Sequence, residues 1–209
     1  MKYIQKGEEP TSFTDWKLQA NEDWKPTWDV LRASQKRDLH DALLKEQGYI
    51  CCYCEMRISP KDSHIEHLQP RTHYADLALE YANLLASCQR QRSTVEHCGY
   101  KKDDWYDEQL MVSPLQANCA DFFRYTEDGR VLPTEDPLKK PAAEMTIQKL
   151  GLNADKLVAM RSQAIEGILD DELTEDKIQR IIEGFESLDA NGPFEAFAGT
   201  IAYVLKQYS

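Results

Sequence analysis

The chain has 209 residues, 42% hydrophobic and 29% charged, a globular composition long enough to bury a core without disulfides. A formal net charge of −11 argues against a protein that holds nucleic acid by its overall field, and no apolar run approaches the roughly 18 residues of a membrane span. The charge is uneven: positions 1–104 carry 15 basic and 17 acidic residues, positions 105–209 carry 10 and 19, so polyanion chemistry is expected in the first half. Met1 to Lys6 lack the apolar stretch of a secretory signal, and the cysteines are clustered, which suits metal binding in a reducing compartment. A cytoplasmic location is expected.

Residues 1–29 carry Trp16, Trp24 and Trp28 with Pro10 and Pro26 and read as an irregular arm that docks through its aromatics. Leu39, Ala42 and Leu43 recur at helical spacing and predict a helix over 34–47, with Ser34 as N-cap and Gly48 as stop. Residues 49–54 read as a short strand entering a turn, 63–68 as a second strand, 71–82 as a loop and 83–88 as a third strand. Asp128-Gly129 between aromatic and aliphatic residues predicts a hairpin over 122–132. Pro133, Pro137 and Pro141 mark a linker. Helices are expected at 142–150, 153–170, 174–188 and 193–206, with Asn153 and Thr174 as N-caps. The chain thus divides into an N-terminal arm and helix (1–48), a central core plus hairpin (49–135) and a helical subdomain (142–209), an α+β fold that is mostly helical.

Cys51 and Cys54 form a C-x-x-C pair whose turn puts both thiolates on one side. Cys88 and Cys98 supply a second pair. Four thiolates suit a closed, tetrahedral, structural Zn²⁺, with His97 as an alternative to Cys98. Cys52 points away, and Cys119 is expected in the core.

Between the pairs runs His64-Ile65-Glu66-His67-Leu68-Gln69-Pro70. On a strand, His64 and Glu66 share one face and Ile65 and His67 the other, with Ile65 the expected core anchor. A carboxylate such as Glu66 can hold a hard cation, and a neighbouring imidazole such as His67 can take a proton from water near neutral pH. Asn83 can brace the loop and orient His67. Arg71, Arg90, Arg92, Lys101 and Lys102 are available for phosphates.

Taken together, Cys51…Cys54, Glu66-His67…Pro70, Asn83-Leu84 and Cys88, Cys98…Lys102 resemble the HNH endonuclease superfamily, whose core is a ββα-metal fold with a zinc knuckle. The stretches YICCYCE, HIEHLQPR, YANLLASC and FRYTEDG are similar to the PtuB-type HNH proteins of Septu anti-phage systems and their retron-associated relatives. The resemblance implies that His67 is the general base, that Glu66 binds a catalytic Mg²⁺ or Mn²⁺, that Asn83 is the middle residue, and that Cys51, Cys54, Cys88 and Cys98 hold zinc. It implies a nucleic acid substrate, DNA or RNA, and a hetero-oligomer with an SMC/ABC-like ATPase of the PtuA type. A retron reverse transcriptase with its multicopy single-stranded DNA is a further implied partner. The pattern is departed from twice: Glu66 stands where aspartate is usual, and the third HNH position falls on Gly99, leaving His97 or Asp103 to serve. The competing reading is a zinc-stabilised binding module without catalysis.

Overall fold

The computed structural model describes residues 1–169, 173–186 and 194–208. It is a mixed α+β fold, mostly helical, with two small antiparallel sheets. The N-terminal segment is more ordered than its composition suggests. Helix α1 (Thr11–Lys17) begins directly after Pro10 and buries Phe13 and Trp16, whose rings stack at 5.9 Å. Trp24 closes edge-on over Trp16 at 5.7 Å, so the aromatics do anchor the segment, as an α-helix rather than an irregular arm.

Helix α2 (Ala33–Glu46) buries Leu39, Leu43 and Leu44 along one stripe. Its N-cap is Arg32, without a side-chain cap, and not Ser34. Gly48 ends the turn that follows with φ +60°, and a Cβ there would lie 2.3 Å from the Phe194 ring; both the backbone angle and the close approach require glycine. Gln47 covers the open edge of the first sheet: its amide donates to the carbonyls of Ile50 and Ala86 and accepts from the Ala86 N–H.

That sheet pairs β1 (Ser63–His67) with β2 (Leu84–Cys88) in antiparallel register, Glu66 opposite Leu85 and His67 opposite Leu84. Strand β2 is buried throughout, which explains its continuous apolar run. Residues 49–54 do not form a strand. Only Ile50 bridges to Arg57, and the chain turns so that Glu55 N–H reaches the Cys51 carbonyl and Cys51 N–H reaches that of Met56. The short helix α3 (Cys98–Lys102) packs against β2.

The second sheet is the expected hairpin, β3 (Phe123–Tyr125) with β4 (Val131–Pro133). Gly129 in its turn has φ +83°, and a Cβ would lie 2.2 Å from the Val158 carbonyl oxygen. The segment 133–141 is no free linker: Pro133 ends β4, and Pro141 sits in the first turn of α4 (Lys140–Leu150), where proline's missing N–H costs nothing. Asn153 caps no helix. Its amide brackets the edge of β4, accepting from Val131 N–H and donating to the Val131 carbonyl, each at 2.8 Å, while α5 (Asp155–Glu166) starts after Ala154. Arg161 of α5, buried, donates to the carbonyls of Gly129 and Leu152. Helix α6 (Glu175–Glu186) buries Ile178 and Ile182; Thr174 Oγ1 lies 3.4 Å from the Lys177 N–H. The expected extension of these helices to 170 and 188, and the acidic residues Asp170, Asp171 and Glu172, lie outside the described residues. Helix α7 (Ala198–Leu205) returns to β3, with Tyr203 against Tyr125, and Gly199 N–H donates to Glu55 just after the first cysteine pair. Among the described residues, no helix is long and apolar enough to cross a membrane.

Candidate metal centre and catalytic cleft

The four predicted cysteines converge. The sulfurs of Cys51, Cys54, Cys88 and Cys98 all lie within 4.8 Å of one another, and all four residues are buried. Tetrahedral zinc thiolates with bonds of about 2.3 Å place sulfurs roughly 3.8 Å apart, and Cys54 and Cys88 stand at 3.8 Å. The backbone N–H of Cys88 donates to Cys51 Sγ at 3.3 Å. Left-handed backbone at Glu55 (φ 62°) and Gln89 (φ 66°) turns the chain directly after Cys54 and after Cys88. Four thiols packed this closely in an apolar interior can bind a metal such as zinc, whose charge would offset that of the thiolates. Cys52 is buried outside the cluster, and Cys119 is buried beside the Met1 carbonyl.

His97 joins this centre rather than the cleft. Its Nδ1 lies 3.4 Å from the sulfurs of both Cys88 and Cys98. Asp103, just after α3, is held by Arg92 at 2.9 Å, and it lines a shallow depression together with Glu66 and His67.

Strand β1 presents its two faces differently from the sequence expectation. Glu66 faces inward and is 6% exposed, whereas Ile65 is half-buried and lines the cleft. The inward face is polar because three groups meet the carboxylate there. Lys102 Nζ lies 2.9 Å from Glu66 Oε1, the Tyr53 hydroxyl donates to the same oxygen at 3.1 Å, and His64 Nε2 stands 3.5 Å from Oε2. Burial pushes the Glu66 pKa up, but His64 and Lys102 outweigh it and hold the carboxyl below its ordinary value.

His67 sits at the end of β1. Its Nε2 lies 3.1 Å from the Ala78 carbonyl; a carbonyl only accepts, so Nε2 carries the proton and Nδ1 is left with the lone pair. Trp28 packs edge-on against the ring at 4.4 Å. Burial lowers the His67 pKa to about 4, against a smaller opposing effect of the Ala78 carbonyl, so the imidazole is neutral at pH 7. Asn83 clamps the loop after β1: Oδ1 accepts from Gln69 N–H at 2.8 Å, and Nδ2 donates to the carbonyls of Gln69 (3.0 Å) and Leu77 (3.2 Å).

His67 and His64 open into a cleft of about 660 Å³ whose rim includes Lys36, Arg37, Arg71 and Arg90, with Trp28 and Tyr100 as aromatic walls. The net-acidic chain therefore carries a locally basic cleft. Of the basic residues singled out in the sequence, Arg71 and Arg90 reach it; Arg92 is paired with Glu96 and Asp103, and Lys102 is buried against Glu66. Trp28 and Lys36 also line the cleft, although nothing in their local sequence signals a long-range approach to β1.

No protein-family model matches the chain. Two curated proteins are similar to it. One, from Vibrio cholerae serotype O1 biovar El Tor, is named "Retron Vc95 putative HNH endonuclease" and is 30% identical over 139 residues, 64% of this chain and 66% of that protein. The other, from Escherichia coli, is named "Retron Ec83 putative HNH endonuclease" and is 27% identical over 174 residues, 63% of this chain and 67% of that protein. The matches thus span about two thirds of each relative's length. With the cysteine centre and the cleft beside it, these likenesses make the chain a relative of the HNH proteins of retrons.

Proposed function

We propose that the chain is a metal-dependent endonuclease in which β1, β2 and α3 are the ββα-metal core and hydrolysis takes place in the basic cleft. The observation that supports this most directly is His67: a neutral imidazole with its proton fixed on Nε2 and no hydrogen bond to its other nitrogen among the described residues, next to a buried carboxylate and beside a rim of lysine and arginine. His67 Nδ1 accepts the proton of the attacking water. The clamp made by Asn83 fixes the loop that follows β1 and so the position of His67. Arg71 and Arg90 hold the phosphodiester against the cleft wall, and Trp28 and Tyr100 offer faces on which a base can stack. Glu66 suits a divalent cation because its Oε1 is held by Lys102 and Tyr53 while Oε2 faces His64 Nε2 at 3.5 Å; such a cation, when bound, stabilises charge on the phosphate and the leaving oxygen.

The zinc centre is structural in this reading, with four thiolates and no open position. The curated relatives' names support a retron setting, and so a reverse transcriptase and its single-stranded DNA as neighbours in the assembly. An SMC/ABC-like ATPase is the further partner, for which the excess of acidic residues in positions 105–209 offers a surface complementary to a basic one.

Gly99 favours the rival reading of a zinc-stabilised binding module, because it brings no ligand to the third HNH position. Incubating plasmid DNA, single-stranded DNA and tRNA with the full-length protein, with and without the co-expressed ATPase, in Mg²⁺, Mn²⁺ or EDTA, separates the two. Cleavage that needs the cation and falls about 10²–10⁴-fold in His67→Ala, with zinc content unchanged, is the expected result. Binding without cleavage of any substrate, ATPase included, would establish the module instead.

A further inference from the structure

Resting on the reading of Glu66 as a metal ligand, we infer that His64 supplies the donor that Gly99 omits, and that His64 Nε2 and Glu66 Oε2 together hold the catalytic divalent cation.

The first support is the hydrogen bonding of His64. Its Nδ1 lies 2.6 Å from the Gln89 carbonyl oxygen. The carbonyl only accepts, so Nδ1 carries a proton. The other ring nitrogen, Nε2, faces the carboxylate oxygen Oε2 at 3.5 Å. Both atoms are of the type that can ligate one metal ion. Two ligands each about 2.1 Å from one metal ion stand roughly 3.0–3.5 Å apart. An imidazole whose far nitrogen donates to a backbone carbonyl is the usual arrangement of a metal-binding histidine.

The second support is Gly99. A Cβ at this position would lie 2.6 Å from Glu66 Oε2 and 2.7 Å from His64 Nε2. The two donors crowd the space in which a side chain at position 99 would begin. The third HNH position is therefore blank because β1 fills its place from the other side. The Gln89 carbonyl that fixes His64 belongs to the left-handed residue after Cys88, so the cysteine centre orients the proposed ligand. The Tyr100 ring, 4.5 Å away, holds the imidazole on its open side.

The test is direct Mn²⁺ binding to full-length, zinc-loaded protein, read as the loss of the free Mn²⁺ signal in electron paramagnetic resonance. Wild type is expected to bind one Mn²⁺, with affinity at least tenfold weaker in both His64→Ala and Glu66→Gln. His64→Asn gives the same readout should alanine disturb β1; zinc content and circular dichroism report on folding. If His64→Ala and His64→Asn bind as wild type does while Glu66→Gln does not, the assignment of His64 is overturned and Glu66 stands. If Glu66→Gln also binds as wild type does, or wild type binds no Mn²⁺, the reading of Glu66 falls with it.

Discussion

Lys102 Nζ lies 2.9 Å from Glu66 Oε1, with the lysine side chain 1% and the glutamate side chain 8% exposed. The same ammonium donates to the His67 carbonyl at 3.1 Å. One lysine from α3 thus ties down both the carboxylate and the backbone of the next residue, on the strand that carries His64, Glu66 and His67. The charge of Glu66 is kept in the interior by this partner, and only its second oxygen is left for other chemistry.

Replacing Lys102 by Met should therefore destabilise the fold strongly. Removing one member of a buried ion pair leaves the other charge uncompensated, at a cost of about 3–5 kcal/mol. Urea unfolding at pH 7 checks this. The double variant Lys102→Met with Glu66→Gln should recover part of the loss, because the orphaned charge is gone. A Lys102→Met protein as stable as wild type would show that the carboxylate is solvated.

Loss of a metal held by Cys51, Cys54, Cys88 and Cys98 should unfold the region around them. Cys51 accepts from Cys88 N–H, and the segment after Cys54 meets α7 through Glu55 and Gly199. Ligand exchange and folding are coupled at such centres. Cys51→Ser is expected to carry less than one zinc per chain by metal analysis and to lose near-ultraviolet dichroism. Full zinc content in Cys51→Ser would exclude it as a ligand.

Asn83 offers a third measurement. Asn83→Ala removes three hydrogen bonds across the loop and should cost about 1–3 kcal/mol where the partners stay dry. Asn83→Asp should do no better. It keeps an acceptor for Gln69 N–H but turns the donor into an oxygen facing the carbonyls of Gln69 and Leu77. Cleavage should fall in kcat more than in KM for both, since the loop positions His67 rather than contacting substrate. An aspartate variant with wild-type stability and rate would refute the clamp.

Much of this arrangement is readable in the sequence because it rests on spacing. The paired cysteines, the His64–Glu66 face of a strand and the Asp128-Gly129 turn are local patterns, and local chemistry fixes them. What escaped reading depends on residues far apart. Ile65 looks like the core anchor until Lys102 and Tyr53 make the opposite face polar and buried. Asn153 looks like a helix cap, but the bare edge of β4 takes its amide. Helix α1 has seven residues and no capping side chain, so its order comes from packing Phe13 and Trp16 rather than from propensity. By its place in the sequence His97 suits both the metal centre and the catalytic third position, and its contact with the sulfurs of Cys88 and Cys98 separates the two.

Gly99 gives the sharpest prediction, because two effects of opposite sign compete there. It lies in α3, where alanine would ordinarily stabilise by about 0.5–1 kcal/mol. Its would-be Cβ, however, falls 2.6 Å from Glu66 Oε2 and 2.7 Å from His64 Nε2, closer than real Cβ atoms come. Neither neighbour yields freely: Glu66 is held through Oε1 by Lys102 and Tyr53, and His64 through Nδ1 by the Gln89 carbonyl. Overpacking of this kind costs about 1–3 kcal/mol, so the clash should win and Gly99→Ala should be less stable than wild type in urea. The same variant should bind Mn²⁺ more weakly, since the methyl group separates the two donors. A Gly99→Ala protein more stable than wild type, with unchanged Mn²⁺ affinity, would show that helix propensity governs the position and that the space beside Glu66 is not reserved for a cation.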